Sequence, residues 1–127
     1  MARIIYNAIR TPDGTVLESL DEWDYKTHTD ANGEWYMNDG GNVYFRRSVN
    51  KEPYTDLTVY LDDEHSKVRE HFKWRRVLDK DNNPLPHPQT ILLKDMATDH
   101  IEAILIGKFA RAETAQVFIN ELIHRAL

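Results

Sequence analysis

The sequence predicts an α+β fold: an N-terminal antiparallel sheet of about five or six strands, with a helix and two C-terminal helices packed on it. Three observations carry this. Residues 3–61 are short stretches rich in Ile, Val, Tyr, Trp and Thr, punctuated by Asp, Asn and Gly, which is how antiparallel strands and their turns are written. After residue 62 the apolar positions recur every three or four residues, the helical period. The chain has 127 residues and no internal repeat, enough for one packed core and too little for two ordinary ones. Residues 1–127 are therefore expected to form a single domain, with 1–61 mainly sheet and 62–127 mainly helical around a proline-rich loop over 79–90.

The turns locate the strands. Pro12-Asp13-Gly14 ends a first strand over Arg3 to Arg10, Asn32-Gly33 reads as a two-residue hairpin, and Asp39-Gly40-Gly41-Asn42 makes a further turn. Strands are expected near Thr15 to Ser19, Trp23 to Thr29, Glu34 to Asn38, Val43 to Ser48 and Asp56 to Leu61. Asp62 or Asp63 caps a helix running to about Trp74, with Val68 and Phe72 four residues apart on its inner face. Three prolines between Pro84 and Pro88 exclude helix there, leaving a loop that delivers Thr90 to Lys94 as a last strand. Asp99 and Glu102 stand at capping-box spacing at the start of a second helix, with Ile101, Ile104 and Leu105 facing inward until Gly107 ends it. In the third helix Ala115, Phe118, Ile119, Leu122 and Ile123 form a continuous apolar stripe.

Composition narrows the function. Apolar runs such as Ala103 to Ile106 are far short of the roughly 20 residues that span a bilayer, and the start has no signal-peptide apolar region, so a soluble cytosolic protein without membrane contact is expected. With no cysteine, disulfides, thiolate catalysis and cysteine zinc sites are excluded. A formal charge of −5 disfavours a nucleic-acid polymer and leaves room for one compact anion at a local basic patch. Exposed aromatic residues such as Trp23, Trp35 and Tyr36 predict self-association.

The basic patch runs from Lys67 to Arg76, where five Lys/Arg residues and the rings of Phe72 and Trp74 occupy ten positions. Rings stack on bases and guanidinium groups grip phosphates, so the mixture suits a nucleotide. The competing reading makes Phe72 a core residue beside Val68 and the charges a solvated helix flank; Trp74 lies off that stripe and is the best single candidate. Arg46 and Arg47 follow Tyr44-Phe45 on a strand, so their side chains point to opposite faces and one pocket can use only one of them. Trp23 and Asp24 are secondary candidates, Asp24 as an acceptor for ribose hydroxyls, against the commoner role of a cross-strand aromatic pair. Glu121 and His124 have the i, i+3 spacing of a metal pair, but a second copy is missing, and no other histidine has metal-ligand spacing, so neither metal nor cofactor is expected. GxSxG, P-loop and GxGxxG motifs are absent as well. The reading is accordingly not an enzyme.

The string from Tyr6-Asn7-Ala8-Ile9-Arg10 through Thr11-Pro12-Asp13-Gly14-Thr15-Val16-Leu17-Glu18-Ser19, then Asp24-Tyr25-Lys26-Thr27-His28-Thr29-Asp30-Ala31-Asn32-Gly33, resembles small phage proteins. So do Asp39-Gly40-Gly41-Asn42-Val43-Tyr44-Phe45-Arg46-Arg47 and Ile101-Glu102-Ala103-Ile104-Leu105, which together cover much of the chain. The family that these stretches resemble is the phage Thoeris anti-defence sponge of the first type. The resemblance implies a sheet-plus-helices protein of the host cell cytoplasm that sequesters the glycocyclic ADP-ribose signal of TIR-domain immunity without cleaving it. It also implies a homo-oligomer, a dimer or larger up to a hexamer, with pockets between protomers. Some family members also take the cyclic oligonucleotides of CBASS defence at separate pockets. On that likeness Phe72 and Trp74 stack on the adenine, Arg46, Arg47 and Arg69 meet the pyrophosphate, and Asn82 adds a hydrogen bond. One stretch departs from the pattern: Leu20-Asp21-Glu22-Trp23 stands where relatives carry basic groups before Asp-Tyr. Two rival readings are a nucleotide-signal hydrolase using His65, His71 and Asp24, and a protein-interaction module with an aromatic patch.

Overall fold

A computed structural model describes residues 3–48, 53–79 and 81–127; Lys80 of the expected loop lies outside them. The fold is α+β, with antiparallel strands and three α-helices, two of them at the C-terminal end. The chain gathers into two compact units, Met1–Asp63 and Glu64–Leu127, which are described in turn.

In the first unit, β1 (Ile4–Arg10) pairs antiparallel with β2 (Val16–Ser19) on one side and with the short β6 (Thr55–Asp56) and β7 (Val59–Tyr60) on the other. A second sheet sets β4 (Trp35–Asp39) between β3 (Lys26–Thr29) and β5 (Arg46–Ser48). Ile9, Leu17 and Tyr36 form a buried cluster, so Tyr36, expected exposed with Trp23 and Trp35, is a core residue, while those two tryptophans are exposed. Buried amides join it: Asn38 Nδ2 donates to the carbonyls of Asn7 (3.2 Å) and Leu17 (3.0 Å), and Asn7 Nδ2 to that of Asp39 (3.2 Å). These bonds offset the cost of burying polar groups.

The turns fall where glycine puts them, with one difference in length. The loop at Asn32-Gly33 has three residues: Asp30 N–H donates to Glu34 O at 3.0 Å and Gly33 N–H returns to Asp30 O at 3.0 Å. Only Gly33 is left-handed (φ 80°), so this is the longer hairpin loop with one positive-φ position. Gly14 (φ 92°) closes the same arrangement between Thr11 and Thr15. Gly40 (φ 110°) is more demanding, since a Cβ there would lie 1.9 Å from the Tyr44 carbonyl oxygen. Gly40→Ala therefore combines backbone strain with a clash and is expected to cost about 1–3 kcal/mol in urea unfolding; an unchanged midpoint would contradict this.

The second unit departs further from expectation. Helix α1 (His65–His71) is shorter than the run to Trp74: Phe72 is already extended (ψ 130°) and Trp74 lies on β8 (Lys73–Leu78). Neither Asp62 nor Asp63 caps it; the N-cap is Glu64 without a side-chain bond, and Asp63 Oδ2 accepts from Tyr60 N–H instead. The proline-rich segment is not the loop expected over 79–90, because β9 (Pro84–Leu92) pairs antiparallel with β8. The prolines are tolerated because Pro84 opens the strand and Pro86 and Pro88 fall in the irregular stretch where the register slips between Arg76↔Gln89 and Leu78↔Pro84. Before it, Asp79 N–H donates to Asn83 O (2.8 Å), and Asn82 (φ 62°) takes the left-handed position that glycine fills elsewhere.

A 3₁₀ turn (Leu93–Asp95) leads to α2 (Thr98–Ile106) and α3 (Ala112–Ala126). The expected capping box is not formed: Ala97 is the N-cap and makes no side-chain bond. Ile101 and Ile104 are buried as expected. On α3 the buried face is Thr114, Val117, Phe118 and Glu121, rotated from the expected stripe, while Ile119 and Ile123 are exposed.

Candidate functional site

The eight candidates divide evenly between the units. In the first, Arg47 is consumed internally. Its Nε donates to Asn38 Oδ1 (2.9 Å), its terminal nitrogens to Asn7 Oδ1 (3.0 Å) and Asp56 Oδ1 (3.1 Å), and its guanidinium sits 4.5 Å from the Phe45 ring centroid. Neighbouring Arg46 is exposed, as strand alternation requires. Asp24 closes its own loop: Oδ2 accepts from Leu20 N–H at 2.9 Å and Oδ1 pairs with Lys26 at 3.1 Å, and the Leu20 bond leads in holding the carboxyl below its usual range. Trp23 is 84% exposed.

In the second unit two more candidates serve the fold. Phe72 is buried and meets Phe118 edge to face, with centroids 5.8 Å apart. Arg69 forks onto the buried Glu121 carboxylate at 2.9 and 3.0 Å. His65 (2.8 Å) and Arg125 (2.7 Å) complete the shell around that carboxylate.

Trp74 and Asn82 come together on a cleft of about 700 Å³ that lies wholly within residues 74–109. Such a volume suits a small organic ligand. One wall is β8 with Ile91 of β9; the other is Met96, Ala97 and the first turns of α2, with Phe109 at one end. Trp74 is fixed by an edge contact with Phe118 (centroids 5.3 Å, 77°), so its indole enters the cleft in a set orientation. Two residues from Trp74 on the strand, Arg76 follows, half-buried like Trp74. One terminal nitrogen of Arg76 donates to Gln89 Oε1 at 2.7 Å, while its buried Nε has no hydrogen-bond partner among the described residues. From α2, His100 lines the opposite wall; burial first, then the nearby Arg76 charge, lower its pKa, opposed by Asp99. Asp79, Asp95 and Asp99 add acceptors.

The arrangement offers a ring for stacking, a guanidinium with unused donors, and carboxylates able to accept from hydroxyl groups. Arg76 belongs to the basic patch that the sequence marks, without a role of its own there, and His100 was not singled out. The signal was present in Lys73 to Leu78: read as a strand, it places Trp74 and Arg76 on one face. Among the described residues no group of three or more His, Asp or Glu side chains is placed to hold a metal ion. No described helix is long and apolar enough to cross a membrane. Comparison with protein-family models, curated proteins and solved structures gives no match to this chain.

Proposed function

We propose that the protein is a sponge that binds a compact nucleotide signal and holds it intact, so that the effector it would switch on stays silent. The ligand is the glycocyclic ADP-ribose signal of Thoeris immunity, with CBASS cyclic oligonucleotides as further ligands, and the setting is the cytoplasm of a phage-infected host. The observation that carries this reading is the cleft, whose lining brings together Trp74, Arg76 and Asn82 with the acidic acceptors Asp79, Asp95 and Asp99. The family resemblance of residues 6–47 supplies the signal's identity. Within the sponge Trp74 stacks on the base, Arg76 takes the phosphate role first assigned to Arg69, and Asn82 reaches the ligand from its turn. Arg69, Phe72 and Arg47 act by holding the fold. Exposed Trp23, Ile106 and Phe109 support assembly into a homo-oligomer.

Calorimetry with purified glycocyclic ADP-ribose, followed by heating and chromatography of what is released, tests the reading. Stoichiometric binding and recovery of intact signal are expected. Cleaved product would make the protein a hydrolase, and no binding would end the proposal. Trp74→Ala is expected to weaken binding roughly 5- to 150-fold, from about 1–3 kcal/mol of base stacking.

A further inference from the structure

We propose that Arg76 and His100 form a proton-linked anion clamp: a phosphate of the bound ligand sits between the guanidinium and the imidazole, and binding brings a proton onto His100. This rests on the cleft as the ligand site and assigns it a residue pair and a pH dependence.

The clamp follows from what each group lacks. Arg76 presents a planar set of five N–H donors; Gln89 takes one terminal nitrogen, and buried Nε is unsatisfied among the described residues. Nε is shielded from the cleft, but the other terminal nitrogen makes no hydrogen bond among the described residues, and in a cleft the natural partner of that cationic donor is an oxyanion from the ligand. The charged residues that line the cleft with His100 are Arg75 and Arg76 from β8, Asp79 from the hairpin turn, Asp95 from the 3₁₀ turn and Asp99 from its own helix, and of these Arg76 and Asp99 act on its charge. Of these Arg76 acts on the imidazole most strongly and opposes its protonation, adding to the effect of burial. The free cleft thus holds His100 neutral at pH 7. A phosphate placed against Arg76 reverses the local field: the anion cancels the guanidinium's repulsion and accepts a hydrogen bond from imidazolium. Protonation and anion binding are then reciprocal, each strengthening the other.

The sign is definite. Affinity is lowest well above the bound-state pKa of His100 and rises as pH falls through it, by up to about tenfold per pH unit until the free-state value is reached. The test uses ADP-ribose and glycocyclic ADP-ribose, whose pyrophosphate charge is fixed between pH 5 and 8, so only protein groups can generate the slope. NMR titration of the His100 ring, with and without each ligand, is read beside calorimetry at pH 5.5 and 8. An upward shift of the His100 titration on binding, with tighter binding at pH 5.5, is expected. His100→Gln should remove the slope, leaving the same affinity at pH 5.5 and pH 8. Arg76→Gln should weaken binding at least tenfold at both pH values and move the free His100 titration up. Arg76→Lys keeps the charge and should leave that titration low without restoring the affinity.

Binding of either ligand with no movement of His100 overturns the clamp and leaves the sponge reading intact. Failure of both ligands to bind overturns both. ADP-ribose bound with proton uptake, with the glycocyclic signal refused, upholds the clamp and removes the sponge.

Discussion

Replacing Glu121 by Gln is expected to destabilise the protein by about 3–5 kcal/mol, the range for removing one partner of a buried ion cluster. The Glu121 side chain is fully buried, and three groups converge on it: the Arg69 fork, the Arg125 guanidinium and the His65 imidazole. Arg125 also donates to Thr98 Oγ1 (2.9 Å) and to the Leu93 carbonyl (3.1 Å), so one carboxylate ties α1, the 3₁₀ turn, α2 and α3 together. The amide of glutamine keeps the shape, loses the charge, and turns one acceptor into a donor facing cations. The pH dependence has a definite sign too. Burial pushes the Glu121 carboxyl up, but hydrogen bonds from Arg69, His65 and Arg125 outweigh it and bring its pKa from 4.5 down to about 2. A carboxylate depressed in this way stabilises the fold fully above about pH 4.5. That contribution is lost as pH falls toward 2. Urea unfolding at pH 7 and pH 3 should show wild type losing stability on acidification and Glu121→Gln losing less; a variant within 1 kcal/mol of wild type at pH 7 would refute the argument.

That cluster also explains why α3 was misread. An apolar stripe is found by counting apolar residues, and Ala115, Phe118, Ile119, Leu122 and Ile123 satisfy the count. The buried face includes Thr114 and Glu121, whose inward position depends on cations more than 50 positions away in sequence. The internal bonds of Arg69 and Arg47 are hidden in sequence for the same reason: a free guanidinium and one bonded to a distant Glu121 or Asn7 look alike. Local chemistry was legible. Gly14 and Gly33 marked their turns, and Ile101 and Ile104 their helix face. The turn at Asn82 was hidden because asparagine occupies the glycine position and prolines crowd the strand beyond it. Helical spacing of Val68 and Phe72 carried the first helix too far, past the extended Phe72, and concealed the strand alternation that joins Trp74 to Arg76. Trp74 and Asn82, candidates from the sequence, both line the cleft; the place of Arg76 and His100 beside them emerges only from the fold.

Phe118→Ala is expected to cost about 3–5 kcal/mol, the usual price of deleting a buried aromatic ring. Its further effect is on the ligand. Phe118 is fully buried and presents its ring to two others, meeting Phe72 at 86° and Trp74 at 77°. Edge-to-face pairs add about 0.5–1.5 kcal/mol each beyond area burial, so both contacts help fix the rings' orientation. Without Phe118, Trp74 loses the contact that holds its indole against the cleft, and stacking requires an orientation entropy that the native ring has already surrendered. Binding should weaken even in molecules that remain folded. Phe118→Leu separates the two effects: it fills most of the cavity and should restore much of the stability, while offering Trp74 no ring edge. Unfolding and calorimetry on both variants should therefore diverge, with stability recovering in Phe118→Leu more than affinity. If affinity recovers in full with stability, Phe118 supports the fold alone and the orientation of Trp74 is set by the strand that carries it.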